Sequence, residues 1–238
     1  MRRGIVIIPT YNEAENIEKI VNAALQQSNE LEVLVIDDSS PDNTAQIVEK
    51  LIVANPKIHL IKRSGKLGLG TAYIAGFKYM LAHGYDYCFE MDADFSHNPN
   101  DLPRFIELID NYDLVIGSRY CQGVSVINWP MKRLILSFFA CWYARKVTGC
   151  PVRDLTAGFK CYTKNALSSI NLEKLKSDGY GFQIEIDFMI WRKGFKIKEI
   201  PIIFIERRVG TSKMSKNIIT EAFLLVLRLR IQRIFGLI

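Results

Sequence analysis

Two aspartates one residue apart, Asp92 and Asp94, follow a strand-like run from Tyr85 to Met91. Carboxylates at that spacing reach a hard divalent cation from one side where the chain turns. Oxygen ligands suit Mg²⁺ or Mn²⁺, particularly a metal shared with a diphosphate. Taken alone, the pair reads more readily as loop and helix-capping aspartates ahead of Pro99. Two further polar clusters favour a site, because each also follows an apolar run: Pro9-Thr10-Tyr11-Asn12-Glu13 and Asp37-Asp38-Ser39. Tyr11 offers a ring face on which a nucleobase stacks, and Asp38 a carboxylate that accepts base or ribose hydrogen bonds. Asp37 and Asp38 are adjacent, so their side chains diverge and one of them faces a pocket. A solvated turn over Asp37–Asn43 is the alternative.

Other chemistries lack their signatures. Gly65, Gly68 and Gly70 are spaced GxxGxG and do not follow the first strand, so the dinucleotide fingerprint is missing, and no P-loop motif occurs. The basic stretch Lys62–Lys66 either borders a phosphate or forms a solvated loop. His97, beside the aspartates, suits packing or support of that loop better than a base role. Five cysteines with no CxxC indicate neither a disulfide framework nor a zinc ribbon.

The elements that must position these residues alternate. Gly4–Ile8, Leu31–Ile36, Ile58–Ile61, Tyr85–Met91 and Asp113–Gly117 read as buried strands. Helices are expected from an Asn12 cap through Leu25, over Asp42–Ala54, up to His83 and near Asp101–Asn111. This spacing predicts an α/β fold with a mostly parallel sheet flanked by helices, and ligands at the carboxyl ends of its strands. All three polar clusters fall at such ends.

The second half differs. Residues 131–147 put Leu134, Ile135, Phe138, Phe139 and Trp142 on one stripe flanked by Lys132, Arg133, Arg145 and Lys146. That pattern fits an interfacial helix or a core-packing one. A helix is expected over Phe182–Lys193. Ile197–Ile205 reads as an edge or bulged strand because of Pro201. A basic, apolar helix follows over 216–235. The net charge is +6, and residues 208–238 hold six basic side chains against Glu221, so the body is nearly neutral. The tail is too apolar to track a nucleic-acid backbone; an anionic membrane surface is the expected partner. The longest uncharged apolar run of this half, Leu134–Ala144, is too short to span a bilayer. No signal peptide is apparent, so a cytoplasmic location is expected. The chain divides into a catalytic domain over 1–214 and a C-terminal amphipathic helix over 215–238.

Seven stretches, in order, resemble glycosyltransferase family 2 with its GT-A fold: Val6–Glu13, Val35–Asp42, Met91–His97, Gly117–Tyr120, Asp154–Lys160, Gly181–Glu185 and Ile200–Lys213. The last four narrow the resemblance to dolichyl- or polyprenyl-phosphate mannose synthases, of the short kind without C-terminal spans. The resemblance implies transfer of mannose from GDP-mannose to a polyprenyl or dolichyl monophosphate, with inversion, on the cytoplasmic face of a membrane. It places nucleotide binding at Pro9, Tyr11 and Glu13, guanosine contacts at Ile36 and Asp38, and diphosphate and metal at Asp92, Ala93 and Asp94. Ser96 falls on the third metal position, where the family often has Gln. Arg119, Arg133, Arg207 and Lys213 match basic residues that meet the phosphates, so the implied catalytic set is Asp94, Arg119, Arg133 and Arg207. The cofactor is Mg²⁺ or Mn²⁺, and some members bind small membrane subunits. UDP-glucose as donor and a catalytically silent nucleotide-binding subunit are the competing readings.

Overall fold

The computed structural model describes residues 2–175, 177–206 and 216–236, and the side chains of all of these except 216–219. The chain runs β1 (Gly4–Thr10), α1 (Ile17–Leu25), β2 (Leu31–Asp37), α2 (Thr44–Ala54), β3 (Ile58–Lys62), α3 (Leu69–Ala82) and β4 (Tyr87–Glu90). It continues through α4 (Leu102–Ile106), β5 (Leu114–Ser118), β6 (Val126–Ile127), α5 (Met131–Thr148), β7 (Lys160–Thr163) and α6 (Lys164–Ser168). It closes with α7 (Gly179–Arg192), β8 (Ile197–Pro201), β9 (Phe204–Ile205) and α8 (Lys216–Ile234).

The main sheet has the order β3-β2-β1-β4-β7-β5-β8, and β6 pairs with β9 in a small second sheet. Pairings β1–β2, β1–β4, β2–β3 and β5–β8 are parallel; β7 alone runs antiparallel, between β4 and β5. The α/β expectation therefore holds, with a sequence surprise at β7. Its Lys160 is fully buried, which broke the apolar pattern that would have marked a strand.

Two cores cover the sheet faces. Ile5, Ile7, Leu34 and Ile36 meet α3 and α7 through Tyr73, Phe77 and Phe182 on one side. Val6, Ile8, Val33 and Val35 meet α1 and α2 through Ile17, Ile20 and Val48 on the other. Strand side chains alternate between these layers, as the period of two requires.

Several boundaries depart from the sequence reading. Pro9 lies inside β1 and pairs with Ile36, because β4's pairing with β1 already ends at Ile7 and Glu90, so no ladder bond is lost. Asn12 does not cap α1; its φ of 63° is left-handed and the helix begins at Ile17. Pro201 does sit on an edge strand, β8.

The two helices of the second half both pack and expose apolar surface. In α8, Leu225, Val226 and Leu229 join the core while Phe223 stacks on Tyr143 of α5 at 4.8 Å. Arg233 donates to the Thr148 carbonyl at the end of α5. Gly149 follows with φ of 73°, a left-handed helix end, and a Cβ there would strike the Arg233 guanidinium. The segment 216–235 is thus tied to the body. Its outer face leaves Leu224, Ile231, Ile234 and Phe235 exposed, beside exposed Ile135, Phe138, Phe139 and Trp142 of α5. Among the described residues no helix is long and apolar enough to cross a membrane.

Candidate active site

The carboxyl ends of β1, β2 and β4 lie side by side, and backbone strain concentrates there. Asn12, Ser39, Asn43 and Phe95 all have left-handed φ without being glycine. Such conformations cost energy and persist where surrounding structure enforces them. Asp37 accounts for part of that enforcement. It accepts from the Thr10 hydroxyl at 2.9 Å and from the Ser40 amide and hydroxyl, locking β1 to β2.

Asp38 is the less buried of the two aspartates, but its oxygens are engaged. Arg63 donates to them from Nε at 2.5 Å and Nη2 at 2.6 Å, and the Leu67 amide adds a third bond. Arg63 also donates to Thr71 and to the Gly68 carbonyl, so the basic loop is a staple around Asp38 rather than a solvated excursion. The Ile36 side chain is buried in the core. Tyr11 is 40% exposed, and the Lys66 ammonium sits 4.3 Å from its ring centroid. Glu13 is buried; it accepts from the Asn16 side chain at 2.9 Å, and its amide donates to Thr44.

After β4 the chain turns through Asp92-Ala93-Asp94. The Asp92 amide donates to His97 Nδ1 at 3.1 Å, and Asp94 accepts from the Ser96 amide at 3.0 Å. Both aspartates make further contacts. His97 is buried between Phe159, stacked at 5.0 Å, and Phe204. Burial holds its pKa down to about 4; Asp94 pulls it up and Arg119 pushes it further down. Its Nδ1 accepts the Asp92 amide proton, so the ring supports the turn. Beneath the turn, burial pushes the Tyr73 hydroxyl well above its usual range, and Asp92, Glu90 and Asp94 reinforce the shift.

The oxygen-rich donor set fits a hard divalent cation. The Ser96 hydroxyl is buried without a hydrogen-bond partner, directly in the turn that carries both carboxylates. Among the described residues no group of three His, Cys, Asp or Glu forms a metal cage. Two carboxylates and one hydroxyl would leave the remaining positions to a diphosphate and water, as Mg²⁺ prefers.

The basic residues are placed differently from expectation. Arg119, which the sequence reading set against phosphate and not against protein carboxylates, is 5% exposed and grips fully buried Asp154. Its amide, Nε and Nη2 donate to Asp154 at 2.9, 2.8 and 2.6 Å, and Nη2 also reaches Thr156. Burial opposes the charges of both partners, but their mutual attraction outweighs it, raising Arg119 and lowering Asp154. Arg133 likewise ion-pairs with Glu206. Arg207 and Lys213 lie outside the described residues. The stretch Asp154–Lys160 signalled Asp154, and Ile200–Lys213 signalled Glu206, but ion pairing across 35 and 73 residues cannot be read from spacing.

Beyond Arg133 an apolar cavity of about 190 Å³ opens between α5, α7 and α8. Trp129 and Arg133 stand among its walls with Phe139, Tyr143, Ile184 and Phe223. On the sheet side, β4, β7 and α7 enclose a polar cluster that sequence reading missed. Lys160 bonds Asp187 at 2.7 Å, and Gln183 and Tyr162 donate to Glu90 at 2.8 and 3.1 Å. Burial raises Glu90 to about 8 and Asp187 to about 7, against the pull of Lys160.

The glycosyl transferase family 2 profile matches residues 5–170, most of the chain. The chain belongs to that family. It is a glycosyltransferase with the GT-A arrangement of a mostly parallel sheet flanked by helices. Polyprenol monophosphomannose synthase of Mycolicibacterium smegmatis is 43% identical, over 100% of this chain and 92% of its own length. Undecaprenyl-phosphate mannosyltransferase of Micrococcus luteus is also 43% identical, over 95% and 93%. Among solved structures, glucosyl-3-phosphoglycerate synthase of Mycobacterium tuberculosis with Mn²⁺ and UDP-glucose superposes with a TM-score of 0.67. It covers 96% of this chain and 79% of its own at 18% identity, a likeness of fold.

Proposed function

We propose that this glycosyltransferase moves mannose from GDP-mannose to a polyprenyl monophosphate at a membrane surface. The observation that carries the reading is the apolar cavity with Arg133 and Trp129 in its wall, in a chain 43% identical to two lipid-phosphate mannosyl enzymes. A phosphate on a prenyl chain matches that pairing of cation and apolar space.

The chain's residues divide the work. Pro9, Tyr11, Glu13, Ile36 and Asp38 border the nucleotide, Ile36 through its backbone and Tyr11 through its ring once Lys66 moves aside. Asp92, Ala93 and Asp94 carry the diphosphate end, with Asp92, Asp94 and Ser96 as the metal-holding oxygens. A divalent ion held there, Mg²⁺ or Mn²⁺, would neutralise charge on the leaving diphosphate. Arg133, with Arg207 and Lys213, would orient phosphate groups by their planar or pointed donors, while Arg119 stays committed to Asp154. The acceptor needs no strong base, because a phosphate monoester has a second pKa of about 6 and is largely dianionic near neutrality. Its oxygen attacks the anomeric carbon as the bond to the diphosphate breaks, so configuration inverts and GDP leaves. His97, packed between Phe159 and Phe204 with its Nδ1 engaged by the Asp92 amide, supports the turn.

The exposed faces of α5 and α8 would lie in the headgroup layer, with Arg228 and Arg230 exposed alongside to meet anionic lipid. In this reading the enzyme sits peripherally on the cytoplasmic face. Parallel assays of the purified chain with GDP-mannose and UDP-glucose and one polyprenyl phosphate test the donor. Lipid-phase label from GDP-mannose supports the reading. Label from UDP-glucose alone overturns the donor, and label from neither favours a silent nucleotide-binding subunit.

A further inference from the structure

The cation beside the apolar cavity is already matched by a carboxylate of the chain. Arg133 ion-pairs with Glu206, and the two side chains are 20% and 22% exposed. Other donors at the same spot are unmet. Arg133 Nε and Trp129 Nε1 are both buried without a hydrogen-bond partner. The Trp129 ring lies 4.3 Å from the Arg133 guanidinium carbon and 5.4 Å from that of Arg119. Buried donors without acceptors are uncommon in native proteins, and each carries a desolvation cost. Here two of them flank a guanidinium whose only ion-pair partner among the described residues is Glu206.

The backbone leading into Glu206 is fixed. Its amide donates to the Ile127 carbonyl at 3.1 Å, extending the β6–β9 ladder, and the Ile205 amide donates to the Ser96 carbonyl at 3.4 Å. Glu206 thereby stands between the turn that carries Asp94 and Arg133 in the cavity wall. Rotation of its side chain into solvent frees Arg133 without disturbing either strand.

We propose that Glu206 is a placeholder anion: it occupies Arg133 until a phosphate monoester takes its place, and so sets the affinity that any phosphate must bring to hold the site. The proposal rests on the reading that Arg133 meets the acceptor phosphate. Exchange replaces a monoanion by a dianion with more acceptor oxygens, which the orphaned Arg133 and Trp129 donors then satisfy. It also carries a fixed cost, the breaking of a partly buried ion pair. A lipid-linked phosphate offsets that cost by burying its chain in the cavity, at about 25 cal/mol per Å² of apolar surface. Inorganic phosphate has no chain and offsets nothing. The cost is the same for both ligands, so chain burial sets their ratio of affinities, while the fixed cost raises the concentration that free phosphate alone needs to fill the site.

The test uses the full chain, with mannosyl transfer to vesicle-borne undecaprenyl phosphate as readout and inorganic phosphate as the competing probe. Glu206→Gln keeps the side-chain shape and removes the charge. Inorganic phosphate should then inhibit, in competition with acceptor and not with donor, at a concentration about three- to tenfold lower than in the parent. The acceptor KM should fall by a similar factor. Glu206→Asp, which keeps the charge on a shorter arm, should fall between the two. Unchanged phosphate sensitivity, or a raised acceptor KM in Glu206→Gln with an unchanged melting temperature, overturns the placeholder role and makes Glu206 a support for Arg133. The underlying reading fails separately: Arg133→Ala with parental acceptor KM shows that Arg133 does not meet the acceptor phosphate at all.

Discussion

Removing the Asp154 carboxylate should destabilise this protein more than any surface charge change. In Asp154→Ala, the Arg119 guanidinium stays buried with its Nε and one Nη2 bond lost, and the Arg119 amide loses its acceptor. The charge at 5% exposure cannot rehydrate without opening the core around Trp129, Tyr120 and Phe204, whose rings lie 5.3–5.7 Å from its guanidinium carbon. Breaking a buried pair from one side costs about 3–5 kcal/mol. That is a large part of the roughly 5–15 kcal/mol that holds an ordinary domain together. For a chain of this size, about 2–4 °C of melting temperature accompanies each kcal/mol, so a drop of about 6–20 °C is expected. Calorimetry on the parent, Asp154→Ala and Arg119→Met/Asp154→Leu measures it. The double variant removes both charges and should recover most of the loss, since an apolar pair of similar volume often replaces a buried ion pair without penalty. A drop under about 3 °C in Asp154→Ala, or a double variant as unstable as the single one, would refute the reasoning.

Asp94→Asn should keep the parental melting temperature within a few degrees yet lose turnover by about two orders of magnitude or more, read by steady-state assay at saturating Mg²⁺ or Mn²⁺. Full activity in metal-depleted buffer would contradict the assigned role. Phe138→Asp/Phe139→Asp places two carboxylates on the exposed face of α5, so cosedimentation with anionic vesicles should fall severalfold while circular dichroism stays parental. Parental binding by the parent should also weaken with salt, as surface attraction is screened within about 10 Å at 0.1 M. Asp154 is held below the ordinary carboxylate range, so its folded pKa lies under its unfolded one. The pair's stabilisation is present above about pH 4 and lost as pH falls through the folded value. The melting temperature of the parent should therefore drop more steeply below pH 4 than that of Arg119→Met/Asp154→Leu.

What the sequence disclosed, it disclosed through local pattern. Buried runs ending in Pro9–Glu13, Asp37–Ser39 and Asp92–Asp94 mark strands whose carboxyl ends gather polar groups, and those clusters do meet at one sheet edge. The core-packing reading of 131–147 holds in part, because α5 buries Cys141, Ala144 and Thr148, and it leaves exposed Phe138, Phe139 and Trp142, on which the interfacial reading rests. What stayed hidden depends on partners far along the chain. Lys160 looks like a surface residue until Asp187 is brought to it, and Arg119 looks free until Asp154 is. The left-handed Asn12 could not be told from a helix cap, since asparagine suits both. Asp38 was expected to present its carboxylate to a nucleoside, and the structure instead fills three of its acceptor sites with Arg63 and Leu67.

The central claim is that mannose is delivered to the phosphate of a prenyl lipid. The most direct measurement is the mass spectrum of the lipid phase after the purified chain is incubated with GDP-mannose, a divalent cation and vesicles containing undecaprenyl phosphate. The account predicts a new lipid heavier by one hexosyl residue that retains a single phosphate, and no such product when undecaprenol replaces its phosphate ester. Release of free mannose without a mannosylated lipid, or equal transfer to undecaprenol, would contradict it.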